Sequence, residues 1–344
     1  MGDKVFYLYL MKKILFTVVV CILSLSVFAQ LEDAEKLHAN AKTFMRQGDY
    51  ANASLILVRA LEQAPNNIEI GKDLAYDYYL QRENDKALAV IKPFLEKDNI
   101  DDQVYQMAGT IYNALGQQKE SEKIYKKGIK TFPKSGPLYN EFGELLFNNK
   151  DLSAIKLWEK GIEEDPSYPN NYYNASKYYY STKDKIWSLI YGEIFINLES
   201  FTSRTAEIKN LLLDGYKKLF AETDLLADTK GKNKFELAFL STMNKQNNVV
   251  IRGINPESLI MIRTRFILDW DKDYAAKFPF NLFDEQKDLL EKGLFPVYNQ
   301  WIFGASQNLA AYQNWTGSHN QEYTAFNKYL QDRIFKIPAG QFYH

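Results

Sequence analysis

Small side chains recur along this chain at one fixed interval, and nothing else in the sequence limits the possible folds as strongly. A first set stands at Ala41, Ala75, Gly109, Gly143 and Ser176, spaced 34, 34, 34 and 33 apart. A second stands at Ala53, Ala87, Ser121, Ala154 and Ser188, spaced 34, 34, 33 and 34. A large residue three beyond each member of the first set, at Phe44, Tyr78, Tyr112, Leu146 and Tyr179, keeps the same beat. So does a terminator position at Pro65, Asn99, Pro133, Pro166 and Ser200. One residue is missing in the turn "NNKD" near Lys150, and every later mark shifts with it, as a single register requires.

Two antiparallel helices per unit account for this pattern. Small residues let the helix axes approach, aromatics fill the neighbouring holes, and proline ends the second helix because it cannot continue the hydrogen-bond ladder. One such unit cannot bury its apolar face, so at least three must stack. With Leu37, Ala41, Phe44, Gly48, Tyr50, Ala53, Ala60 and Pro65 in the first unit, and Tyr105, Gly109, Tyr112, Gly116, Gly128 and Pro133 in the third, the chain resembles the tetratricopeptide repeat (TPR) family. The resemblance implies an all-α fold, a right-handed solenoid of helical hairpins, with units at 34–67, 68–101, 102–135, 136–168 and 169–201 inside a repeat region of 30–201. The second unit departs from the pattern at Pro93, Phe94 and Asn99, and the fifth at Gly192 and Phe195, which marks the fifth as an atypical or capping unit.

Ahead of the repeats, "MKKILFTVVVCILSLSVFAQ" has the basic, apolar and small-residue order of a secretory leader, with cleavage expected after Ala29. Asp3 is out of place in such a leader, so residues 1–29 are read as a signal peptide with Met11 as a possible true start. The one cysteine, Cys21, would be removed with it, leaving no thiol for a disulfide, a metal or a nucleophile. The whole chain has 42 basic and 43 acidic residues, a balance that argues against a dedicated nucleic-acid binder. No later segment is apolar for long enough to span a bilayer, so the protein is not expected to be integral to a membrane.

After the repeats, residues 202–226 read as a capping helix, 227–234 ("ADTKGKNK") as a solvated linker, and 235–344 as an aromatic-rich helical module. Asn255 and Asp284 are candidate N-caps, and Trp270, Trp301, Trp315, Phe278, Phe280, Phe283, Phe295, Tyr298 and Phe303 a candidate aromatic core. His344 is expected to be disordered. The Gly231-Lys232 pair lacks the spacing of a phosphate loop, and no H-E-x-x-H, G-x-S-x-G or G-x-G-x-x-G occurs. The one catalytic candidate is Trp315, His319, Glu322 and Tyr323, placed near a helix start. No cofactor, catalytic residue or metal site is assigned.

In the resembled family, ligands lie along the concave face lined by the first helix of each unit. Carried over, that face includes His38, Lys42 and Arg46 in the first unit, Lys72, Tyr76 and Tyr79 in the second, and Asn113 in the third. The fourth unit contributes Asn140, Glu144 and Phe147, and the fifth Asn170, Tyr173, Lys177 and Tyr180. Gln103 and Gln106 stand where some members place a basic clamp for a C-terminal carboxylate. The expectation is an exported, periplasmic or envelope scaffold that binds a protein or peptide in that groove. A glycan-binding envelope protein is the alternative, a hydrolase centred on His319 comes third, and the oligomeric state is left open. The C-terminal module is a further candidate to fill the groove.

Overall fold

The computed structural model describes residues 34–251 and 253–344, so the leader read over 1–29 lies outside the described residues. Those residues form helices and turns, without a strand among them. The hairpins fall where the 34-residue beat puts them: α1 (34–47) with α2 (Tyr50–Gln63), α3 (Ile68–Leu80) with α4 (Asn84–Ile91), and α5 (Asp102–Ala114) with α6 (Gln118–Thr131). Then come α7 (Gly136–Asn148) with α8 (Ala154–Glu164), and α9 (Pro169–Tyr180) with α10 (Lys185–Leu198). By contact density the chain divides into two compact units, one ending at Thr131 and the other beginning at Phe132.

Local chemistry repeats with the helices. The turn inside each of the first four hairpins is closed by a left-handed residue, Gly48, Arg82, Gly116 and Lys150, at φ of 76°, 62°, 72° and 63°. The first helices are capped at the same interval. Asn67, Asp101 and Ser135 accept the backbone N–H of Ile70, Val104 and Leu138, and Thr202 does so for Thr205. Close approach explains the small residues. A Cβ built on Gly109 would fall 2.5 Å from the Tyr125 ring, and one on Gly143 would fall inside the Trp158 indole. In the second unit Pro93 ends the α-helix, the chain continues as a 3₁₀ turn over Lys92–Glu96, and Phe94 lies where a Cβ on Gly71 would be.

One buried acid on α3 makes stability there pH-dependent. Asp77 is fully buried, and burial pushes its carboxyl up to about 6, against a smaller lowering by its hydrogen bond from Gln81. An acid with a raised folded-state value stabilises the fold below its ordinary range, and that contribution is lost as pH rises towards 6. Asp77→Asn should therefore gain on the order of 1–2 kcal/mol near pH 7 and little near pH 4, measured by urea unfolding at both. An equal gain at the two pH values would rule out this account.

In the second unit α10 is buried on all sides, twelve of its fourteen residues being inaccessible. Repeat helices cover one side and the C-terminal helices the other, so the apolar core runs without a break from Ala154 to Ile337. The linker expected at 227–234 lies inside this unit, between α11 (Ser203–Leu219) and α12 (Lys234–Asn244). Most of its residues are exposed, and it is tied down at Lys232, which reaches Asp184 at 2.5 Å and Glu236 at 3.1 Å. After a short helical turn α13 (Asn247–Val250) come α14 (Pro256–Asp273), α15 (Asn281–Glu291), α16 (Phe295–Gln307), α17 (Leu309–Ser318) and α18 (Asn320–Asp332). Asn255 caps α14 in a capping box with Ser258. Asp284 does not cap α15, which begins three residues earlier, where the Asn281 N–H donates to the side chain of Gln341 at 2.6 Å. His344 is not disordered but is held by three neighbours, Glu159, Tyr179 and Trp187.

Candidate functional site

Within the compact unit that ends at Thr131 the structure separates bound from free groove residues. Lys72, expected to meet a ligand, is 7% exposed, and its ammonium already binds Glu69 at 2.8 Å, Asp101 at 2.5 Å and Gln103 at 2.9 Å. With its three donors used, it is a rivet between α3 and α5. His38 meets Asp73 at 2.6 Å, and Lys42 reaches the same carboxylate at 3.5 Å. Arg46 lies along α1 with a bond to Thr43, at 3.1 Å. Asn113 is exposed, Tyr79 half-buried, and Tyr76 exposed at 42%.

In the second unit the same face carries a ladder with a period of one repeat. Asn174 donates to Asn140 at 2.8 Å and to Glu144 at 3.0 Å. Arg204 donates to Asn170 at 2.9 Å, the Tyr173 hydroxyl donates to Glu207 at 2.5 Å, and the Tyr180 hydroxyl bonds Asp214. Lys177 joins the Tyr173–Glu207 pair, 2.7 Å from the carboxylate, and Lys218 joins the Tyr180–Asp214 pair. The pairs Asn140–Asn174, Asn170–Arg204, Tyr173–Glu207 and Tyr180–Asp214 are each 34 residues apart, so α11 stands as the first helix of a sixth half-unit. The polar groups read as ligand contacts at Asn140, Tyr173 and Tyr180 thus hold adjacent helices together. The signal was in the sequence, because Arg204, Glu207 and Asp214 lie one period beyond Asn170, Tyr173 and Tyr180.

Two features of this face stay open. Phe147 is 46% exposed, its ring tilted on Trp158 with centroids 5.5 Å apart. The Lys177 and Glu207 side chains are 43% and 48% exposed, so the C-terminal helices, which pack on α10 and α11, do not bury this part of the groove. Glu141, one turn before Glu144, has its carboxyl pushed up to about 7 by burial and then by the Glu144 charge.

Of the histidine cluster, the structure brings His319 and Trp315 together and gives the Tyr323 hydroxyl a partner outside it. His319 stacks on Trp315, centroids 4.5 Å apart, with Nδ1 3.0 Å from the Trp315 carbonyl, at the junction of α17 and α18. The Tyr323 hydroxyl instead meets that of Tyr312, at 3.2 Å. Among the described residues no three potential ligands gather as a metal site, and no helix is long and apolar enough to cross a membrane.

The repeat geometry defines a class, proteins built from stacked helical hairpins. A family model described as Tetratricopeptide repeat matches residues 102–135, the third unit with the bounds read from the sequence. That one unit, about a tenth of the chain, is what the family model covers, and the other hairpins repeat its all-helical geometry. Three solved structures are similar at low identity. A thermophilic TPR protein of Thermus thermophilus is 16% identical over 52% of this chain and 99% of that one, with a TM-score of 0.45. The pilF protein of Pseudomonas aeruginosa is 15% identical over 55% and 87%, with a TM-score of 0.47. A tetratricopeptide repeat protein from Parabacteroides merdae is 16% identical over 74% and 97%, with a TM-score of 0.41. No curated protein matches the chain.

Proposed function

We propose that this protein is an exported scaffold that binds a protein or peptide on the faces of its first helices. The observation that carries the reading is the contrast between bonded and free groups on those faces. Tyr76 and Phe147 present aromatic surface to solvent, at 42% and 46% exposure, from helices whose polar side chains are already locked to their neighbours. A rigid frame with exposed aromatic anchors binds at small entropic cost. The hydroxyls of Tyr173 and Tyr180, committed to carboxylates, belong to the frame rather than to the anchors.

Capture of envelope proteins by the intact protein, with identification by mass spectrometry, supplies the partner. Tyr76→Ala and Phe147→Ala should then each weaken that complex by roughly tenfold or more, as loss of an aromatic anchor does, with the melting temperature close to wild type. Undiminished binding in both variants would exclude these faces. Export rests on the order of residues 12–29 and is tested separately: the mature protein should begin at Gln30, and an intact Met11 on the protein in the cytosol would refute it.

A further inference from the structure

Beyond α18 the chain runs without helix from Arg333 to His344 and returns to the repeats. Phe335 and Ile337 are buried. Tyr343 stacks on Phe235, centroids 4.6 Å apart and 9° from parallel, while its hydroxyl donates to the Pro279 carbonyl at 2.6 Å and its own carbonyl accepts from Asn233 at 2.7 Å. His344 then stands edge-on to Trp187 at 5.0 Å. Its Nδ1 is 2.9 Å from Glu159 Oε1, its Nε2 is 2.8 Å from the Tyr179 hydroxyl, and that hydroxyl is 2.5 Å from the same Glu159 oxygen.

Proton accounting decides what this triangle requires. Three contacts join three groups, and each contact needs one hydrogen. The tyrosine supplies one, so the imidazole must supply two, which only the imidazolium can do. A neutral His344 leaves one contact without a proton, and the most exposed partner is then the least secured. We propose that the 333–344 segment is a proton-controlled latch. His344 holds it closed on the repeats while protonated, and lets Phe342–His344 lift from the Trp187–Phe235 surface when the proton leaves.

The charged surroundings favour the closed form. Glu159 faces the imidazole from α8, Asp184 from the turn between α9 and α10, and Glu236 from α12. Lys232 lies beside them and is shared between Asp184 and Glu236. Tyr179 on α9 is a buried phenol beside a carboxylate, and both effects keep it protonated. Tyr191 on α10, wholly buried, stays neutral for the same first reason. Burial of His344 works against its charge, but Glu159, supported by Glu236 and Asp184, outweighs that and raises the imidazole above its ordinary value. A raised histidine stabilises the closed state below its ordinary range and loses that contribution as pH climbs through the raised value.

The test uses the full-length protein. Histidine resonances of His38, His319 and His344 are followed by NMR, and hydrogen exchange of residues 338–344 is measured over the same pH range, corrected for intrinsic rates. His344 should titrate above the ordinary histidine value, and protection of the segment should fall roughly tenfold as it does so. Glu159→Gln, which keeps an acceptor but removes the charge, should move both transitions to lower pH together. A His344 midpoint at or below the ordinary histidine value, or protection that ignores the titration, would overturn the latch.

Discussion

Arg263→Ala should remove about 3–5 kcal/mol of stability, because it strands a carboxylate that has no route to water. Arg263 and Glu193 are 1% and 4% exposed and joined by an ion pair. Glu193 also accepts from Gln286 at 2.7 Å and from Tyr298 at 2.8 Å, while Arg263 donates to Asn299 at 2.6 Å. The guanidinium lies among the rings of Phe295, Tyr298 and Phe303. These bonds tie α10 of the last hairpin to α14, α15 and α16, so the same substitution should release the C-terminal helices from the repeats. Glu193→Leu with Arg263→Met, which removes both charges, should cost less than either charge removed alone. Chemical unfolding of Arg263→Ala, Glu193→Leu and the double variant measures this, and a double variant worse than both singles would show that the pair acts through something other than its charges.

Gly143→Leu should cost about 3 kcal/mol, the upper part of the range for overpacking. A side chain there would enter the Trp158 indole, whose Nε1 donates to the Asn140 carbonyl at 3.4 Å and whose ring is packed against Phe147 and Tyr178. Trp158 therefore cannot turn away without giving up contacts on three sides. Gly317, which has open space around its Cβ position, is the control, and Gly317→Leu should be close to neutral. A melting temperature unchanged by Gly143→Leu would mean that the helices do not cross at that residue.

What could be read from the sequence depended on the distance over which each feature is set. The hairpins were legible because Ala41, Gly109, Gly143 and their companions answer to contacts inside one unit, and those contacts return every 34 residues. Most of the aromatic core and the Asn255 cap were legible for the same local reason, while Trp315 and Phe278 lie half-buried at the core's edge. The sequence placed the candidate groove residues on the first helices, but the bonds those residues make to neighbouring helices had to be read from the structure. Position on a helix does not say whether a neighbour one repeat away uses a side chain, and Asp101, Glu207 and Asp214 use Lys72, Tyr173 and Tyr180. The start of α15 shows the same limit on a smaller scale, since its first donor is met by Gln341, sixty residues away.

By itself the sequence determined the repeat, its length, its helical pairing and the residues that must be small where helices cross, because backbone hydrogen bonding and close packing impose those choices within a single hairpin. Tertiary structure alone decided the rest. It joined the last repeats and the C-terminal helices into one core around α10, buried the Arg263–Glu193 pair, and brought His344 back onto Glu159 and Tyr179. Each of these joins groups dozens of residues or more apart, and a contact between distant segments leaves no periodic mark, because it is made once.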